Sequence, residues 1–194
     1  MIKIKNLEKT FDKKELYNKL NITIKAGEIV GVVGASGIGK TTLLRIIAGI
    51  DTKFSGSISV NQSLGFLFQE NTLCEWLTVR DNIELPFKLQ NKEITLDMKK
   101  KQTKLIKQFE INDLLDKPLS KISGGEKERV HIVRELLDEK QIYLLDEPLR
   151  SLDKGLQNKL IMIILDYFKK NKKTVLISTH SSSIKKICDR VIEL

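Results

Sequence analysis

Residues 34–42, GASGIGKTT, set three glycines, a lysine and two threonines between the apolar run EIVGVV and the periodic run LLRIIAGI. Positions 34–41 fit G-x-x-x-x-G-K-[ST], and the flanking pattern of buried strand then helix is the context that this motif requires. Glycine admits positive φ and removes the Cβ that would hold a ligand away from the backbone. Successive N–H groups then form an anion nest at the positive end of the following helix. The stretch Gly34, Ala35, Ser36, Gly37, Ile38, Gly39, Lys40, Thr41 and Thr42 is therefore a candidate phosphate cradle. Lys40 can reach β- and γ-phosphates, and Thr41 can offer a hydroxyl to Mg²⁺. A plain glycine-rich turn would explain the glycines but not the Gly-Lys-Thr ending in register with the helix start.

A second group of residues supplies what a phosphate cradle alone lacks. QIYLLDEP closes a buried strand with two carboxylates. Asp146 stands where a metal-holding aspartate would, and Glu147 can polarise a water for in-line attack on a γ-phosphate. TVLISTH puts His180 just after another buried strand, at the sheet edge where ligands bind in α/β folds. A single histidine in such a place serves structure more often than catalysis. In KISGGEKERV, Ser123 and Glu126 have capping-box spacing, which accounts for both but not for Gly124 and Gly125 between them. Adjacent glycines weaken a helix start by about 1 kcal/mol each. They make sense if a phosphate must come close to those N–H groups.

The elements that must hold these residues are legible in outline. EIVGVV, IYLL and TVLIS are continuously apolar, as strands covered on both faces are. IKIKNL and LNITIK alternate with period two and are expected as half-buried antiparallel strands. Leu156, Leu160, Ile163, Ile164, Tyr167 and Phe168 recur at helical spacing. The pattern predicts an α/β fold with a mostly parallel sheet, an antiparallel β edge and a helical insertion over about 71–121. The 194 residues are expected to form a single domain, 1–194. In the lysine-rich segment 88–109, Leu96, Leu105, Ile106 and Phe109 are expected to line one buried side of a helix, the lysines forming its solvated face. The net charge of +9 is the only feature that favours nucleic acid, which is not expected as a partner. No apolar run approaches the ~20 residues of a membrane span, and the start lacks a signal-peptide plan. A cytoplasmic protein is expected, with Cys74 and Cys188 as reduced thiols, Cys188 packed in a helix and His131 structural.

These motifs together resemble the ATP-binding cassette (ABC) family of ATPases, in the family's order and over essentially the whole chain. GASGIGKT corresponds to the P-loop, FQE with Gln69 to the Q-loop and ISGGE to the signature. IYLLDEP is similar to Walker B with the catalytic glutamate, SLD with Asp153 to the D-loop and STH to the switch histidine. The resemblance implies a P-loop nucleotide-hydrolase core. Glu147, His180 and Gln69 would be catalytic, and Thr41, Gln69 and Asp146 would hold Mg²⁺. ATP would lie between the P-loop of one copy and Ser123, Gly124, Gly125 and Glu126 of a second, with Asp153 nearby and Phe11 stacked on adenine. The family's usual Leu-Ser-Gly-Gly-Gln is here Ile122 to Glu126, with charge at the last place; several subfamilies also carry Glu there.

The resemblance further implies a separate transmembrane subunit, with this chain peripheral at the cytoplasmic face of the membrane. QENTLCEWLTVRDNIELPFKL is similar to importers of nitrate, sulfonate, taurine and thiamine precursors. Trp76 there is either an anchor for that subunit's coupling helix or a core residue of the insertion. SGGE and NIELP are shared with exporters of lipoproteins or peptides, the alternative reading. A soluble ABC ATPase acting on nucleic acid or ribosomes, or a dimerisation module without turnover, fits the residues less well. The chain is expected to lack the longer terminal helices and any regulatory domain.

Overall fold

The computed structural model describes residues 1–11, 14–67 and 72–194. Along the chain run β1 (Ile2–Phe11), β2 (Lys14–Ile24), β3 (Ile29–Val33), α1 (Lys40–Ile47), β4 (Ser55–Val60) and β5 (Leu64–Leu67). There follow α2 (Val79–Leu89), α3 (Leu96–Gln108), α4 (Gly124–Leu137) and β6 (Ile142–Asp146). The last elements are α5 (Lys154–Lys170), β7 (Thr174–Ser178), α6 (Ser182–Ile187) and β8 (Arg190–Glu193).

The chain divides into two units, the first comprising Met1–Phe66, Lys140–Glu147 and Leu165–Leu194. Its main sheet has the order β5-β6-β7-β3-β8, in which the β6–β7, β7–β3 and β3–β8 pairs are parallel. Every residue of β3, β6 and β7 is buried, which is why these three read as unbroken apolar runs. A second sheet, β2-β1-β4, is antiparallel. In it Ile2, Ile4 and Leu7 of β1 and Tyr17, Ile22 and Ile24 of β2 are buried, while the residues between them are mostly exposed. Lys9 is an exception on the buried face. Its ammonium is satisfied by Asp51 Oδ1 at 2.8 Å and the Lys53 carbonyl at 2.7 Å.

The second unit comprises Leu67–Glu139 and Pro148–Ile164 and is helical. Thr78 caps α2 and Thr95 caps α3 by accepting backbone N–H groups with their side-chain oxygens. Val79, Ile83 and Phe87 of α2, Leu105 and Ile106 of α3, and Val130, Val133 and Leu136 of α4 are buried. Arg129 of α4 donates to the carbonyls of Phe109 and Glu110 at 2.9 and 3.1 Å, tying α4 to the end of α3.

The structure corrects several expectations. Strands β4, β5 and β8 were not anticipated: Ser-Gly-Ser opens β4, β5 has four residues, and β8 is an edge strand with mostly exposed side chains. Leu96 is 76% exposed and does not share the buried side with Leu105, Ile106 and Phe109, because it begins the helix where α3 has left the core. Cys188 stands at the C-cap of α6 rather than inside it, and burial pushes its thiol up to about 11. Among the described residues, no helix is long and apolar enough to cross a membrane.

Candidate functional site

Three adjacent strands of the first unit bring the phosphate-binding and acidic motifs to one sheet edge. In the parallel ladder Val32 is level with Ser178, and Ser178 with Asp146. The segments that follow Val33, Asp146 and Ser178 thus leave the sheet together at the carboxyl ends of their strands, where α/β proteins bind ligands.

After β3, residues 34–39 turn into α1. The N-cap, Gly39, has φ of 117° and no side-chain cap. The first helical bond is Leu43 N–H to Gly39 O at 2.8 Å, so the N–H groups of Lys40, Thr41 and Thr42 have no intrahelical acceptor. A helix N-terminus left open in this way can accept an anion. Gly39 is demanded by its surroundings as well as by its φ. A Cβ there would lie 2.7 Å from the Tyr17 hydroxyl, which donates to the Gly39 carbonyl at 2.5 Å. Burial pushes the Tyr17 phenol well above its ordinary range, so it remains a donor. Lys40 is itself buried and donates to the carbonyls of Gly34 and Ala35 at 3.1 and 3.0 Å, folded over the loop. Lys14 adds a second ammonium, 3.3 Å from the Gly37 carbonyl. Neither Tyr17 nor Lys14 is signalled by any motif, because they reach the loop through space from β2.

At the end of β6, Asp146 is 3% exposed and its Oδ1 accepts from the Ser178 hydroxyl at 2.7 Å. Its Oδ2 has no protein hydrogen-bond partner among the described residues. The donor set fits Mg²⁺, a hard cation held by one or two protein oxygens together with phosphate oxygens and water. Thr41 and Asp146 would be those protein oxygens. Glu147 has φ of 45°, a left-handed conformation rare for a residue with a Cβ. Its Oε1 lies 3.0 Å from His180 Nε2. The structure thus brings together two residues expected separately as catalytic, a pairing that the sequence did not indicate. Gln69, predicted as both catalytic and metal-binding, lies outside the described residues. Phe11 ends β1 with 60% of its surface exposed, so it is not a core residue.

The second unit holds the remaining predicted residues. Ser123 caps α4 in a full capping box: Glu126 Oε2 accepts from the Ser123 N–H at 2.7 Å and from its hydroxyl at 2.8 Å. The Ser123 backbone N–H and hydroxyl hold the Glu126 carboxyl below its usual range. The two glycines differ. A Cβ on Gly125 would lie 2.7 Å from Leu152, an internal reason for glycine, whereas a Cβ on Gly124 would meet nothing within 4 Å. Asp153 Oδ1 accepts from the Leu156 N–H at 3.0 Å, as a helix cap does. Ser151 donates to Glu128 of α4, and Arg134 donates to the Thr72 carbonyl and hydroxyl at 3.1 and 2.6 Å. His131 is buried, with its Nε2 3.4 Å from the Thr72 hydroxyl. Burial, aided by the Arg134 charge, pushes its imidazole down to about 3.

Comparison with known proteins adds independent findings. The protein-family model described as ABC transporter matches residues 17–150. The tungstate uptake system ATP-binding protein of Peptoclostridium acidaminophilum is 33% identical, over 100% of this chain and 94% of the relative. The aliphatic sulfonates import ATP-binding protein of Bacillus subtilis is 35% identical, over 87% of this chain and 68% of the relative. The sulfate/thiosulfate import ATP-binding protein of Escherichia coli K12 is 34% identical over 98% of this chain, which spans 56% of that relative. Among solved structures, the dimeric bacterial ABC transporter cassette MJ0796 superposes with a TM-score of 0.87 and 28% identity, covering 100% of this chain and 94% of that one. A dimeric post-hydrolysis state of the same cassette, bound to ADP and Pi, gives the same score.

Proposed function

The chain belongs to the ABC transporter family of ATPases, and we propose that it is the subunit that binds and hydrolyses ATP to drive import of a small solute through a separate transmembrane chain. The observation that carries the chemistry is the shared sheet edge. An uncapped helix N-terminus with Lys40 folded over its loop stands at the same strand ends as Asp146 and the Glu147–His180 pair.

In this reading the free N–H groups and Lys40 bind the β- and γ-phosphates. Thr41 and Asp146 would hold Mg²⁺, which would supply positive charge against the phosphate oxygens. Glu147 takes a proton from the attacking water, and His180 orients the Glu147 carboxylate. Gln69 is retained as the further candidate for the metal and the water, and Phe11 as the residue that stacks on the adenine. Ser123, Gly124, Gly125 and Glu126, with Asp153, face the nucleotide of a second copy. The open space at Gly124 supports that assignment, since among the described residues nothing lies within 4 Å of a Cβ there. Residues 1–194 act as one nucleotide-binding domain, peripheral at the cytoplasmic face of the membrane, with the helical insertion receiving the transmembrane subunit. The relatives' named solutes are oxyanions, so a small oxyanion is the first solute class to test.

The test has two parts. The purified chain should hydrolyse ATP only with Mg²⁺ present, and tagged chain should co-purify from detergent-solubilised membranes with a multi-span protein that stimulates that hydrolysis on reconstitution. A chain that binds ATP without turnover in either setting removes the ATPase reading. Turnover without any multi-span partner removes the transport reading alone.

A further inference from the structure

Ser178 is the last residue of β7, fully buried and level with Asp146 in the parallel ladder. Residues paired in this way present their side chains to the same face of the sheet. Its hydroxyl has one proton and accepts through its lone pairs, and both capacities are used on the two acidic residues of the site. The proton goes to Asp146 Oδ1 at 2.7 Å, and the oxygen accepts the Glu147 backbone N–H at 2.9 Å. Two residues further on, His180 meets the Glu147 carboxylate.

We propose that Ser178 is a positioning residue for hydrolysis, a single buried hydroxyl that sets the metal-binding carboxylate and the catalytic glutamate together. This rests on the ATPase reading above and deepens it. Two features require such a residue. First, a carboxylate free to rotate about its last torsion presents no fixed oxygen to a metal; donation to Oδ1 restrains its plane and leaves Oδ2 uncommitted among the described residues. Second, Glu147 is held at a φ of 45°, which residues with a Cβ adopt only when their surroundings impose it. The hydrogen bond from its N–H to Ser178 is such an imposition, made at the peptide whose geometry aims the Glu147 side chain. An apolar residue at 178 would fill the space and let the strand form, but would leave both groups without this partner. The sequence gives no sign of this role, because TVLIS reads as a uniformly buried strand.

The inference is tested with Ser178→Ala and Ser178→Thr beside the unmodified chain. Three quantities are measured: the affinity for the non-hydrolysable analogue AMP-PNP without metal, the gain in that affinity on adding Mg²⁺, and kcat with the Mg²⁺ concentration for half-maximal rate. Loss of an outer hydrogen-bond partner of a metal ligand typically costs roughly 10- to 100-fold in metal affinity or activity. Ser178→Ala should therefore keep the metal-free affinity, lose most of the Mg²⁺-dependent gain, need more Mg²⁺ and turn over more slowly. Ser178→Thr, which keeps the hydroxyl on a β-compatible side chain, should recover both the gain and the rate. An alanine variant with unchanged Mg²⁺ dependence and kcat overturns the proposal. So does one whose metal-free affinity falls in parallel, since that marks a merely structural role, and so does a threonine variant no better than alanine. If the unmodified chain shows no Mg²⁺-dependent hydrolysis, alone or reconstituted with its membrane partner, the ATPase reading fails instead.

Discussion

At the residue scale, the site depends on how few groups carry each task. Lys40 is the buried cation folded over the loop carbonyls, and Lys14 lies beside the loop on the exposed surface. A hydrogen bond to a charged group is worth about 2 kcal/mol, or roughly 30-fold in affinity. Lys40→Ala should weaken ATP binding by at least that much while the circular dichroism spectrum stays unchanged; equal affinities by calorimetry would refute the cradle. Glu147→Gln preserves size and hydrogen-bond reach but removes the carboxylate proposed as the base. Its hydrolysis should fall roughly 10²- to 10⁴-fold with ATP affinity retained. The nucleotide-loaded state should then accumulate as a dimer by size exclusion, and wild-type turnover in this variant would assign the base elsewhere. Lys40, Asp146, Glu147 and His180 were legible in the sequence because each sits at a fixed offset within a contiguous motif. Ser178, Tyr17 and Lys14 were not. Their roles come from pairing across strands and from a neighbouring sheet, relations that linear spacing does not encode.

At the element scale, the burial of β3, β6 and β7 on both faces made them readable, whereas the short or exposed strands β4, β5 and β8 lacked an apolar signature. Helix α4 shows how one start can serve two purposes. The capping box stabilises the helix, yet it commits the Ser123 hydroxyl to Glu126 at 2.8 Å. For Ser123 to donate to the phosphate of a second copy, that proton must be redirected past an ionised carboxylate. Glu126→Gln keeps the capping pattern and removes the charge. In the Glu147→Gln background it should tighten the ATP-dependent dimer by about 1 kcal/mol, the scale of a solvated charge interaction, and the gain should shrink with salt. A weaker dimer on sedimentation would show that the carboxylate assists closure. Further along α4, His131 is neutral in the folded protein, its imidazole pushed from 6.5 down to about 3. The unfolded chain therefore binds more protons between those values, and this contribution to stability is lost as pH falls from about 6.5 toward 3. A His131→Gln variant should show a shallower loss of unfolding free energy between pH 7 and 4 (on the order of a few kcal/mol less) than the unmodified chain. Parallel curves would mean that His131 is not buried as a neutral group.

At the scale of the whole molecule, the residue that stands out is Trp76, the single tryptophan of the chain and 83% exposed. Sequence left two places for it, inside the helical insertion or on its surface, and the exposure excludes the first. Its neighbourhood is ordered: Asn82, fully buried, donates to the Cys74 carbonyl at 3.0 Å and accepts the Cys74 N–H at 2.8 Å. Glu75 pairs with Lys127 of α4 at 2.9 Å. The indole is therefore projected from a braced turn. An exposed tryptophan leaves a large apolar surface in water, and such rings supply much of the affinity when a partner buries them. The transmembrane subunit proposed above is the partner to test at this surface. Trp76→Glu separates this role from any role in folding. Because the side chain buries little in the isolated chain, its replacement should change stability by no more than about 0.5 kcal/mol, a melting shift of roughly 2 °C or less. ATP affinity should also be unchanged. Binding to membranes that contain the multi-span partner should be lost, together with the partner's stimulation of hydrolysis. A variant that still sediments with those membranes, or one that melts several degrees lower, would mean that Trp76 is not the anchor.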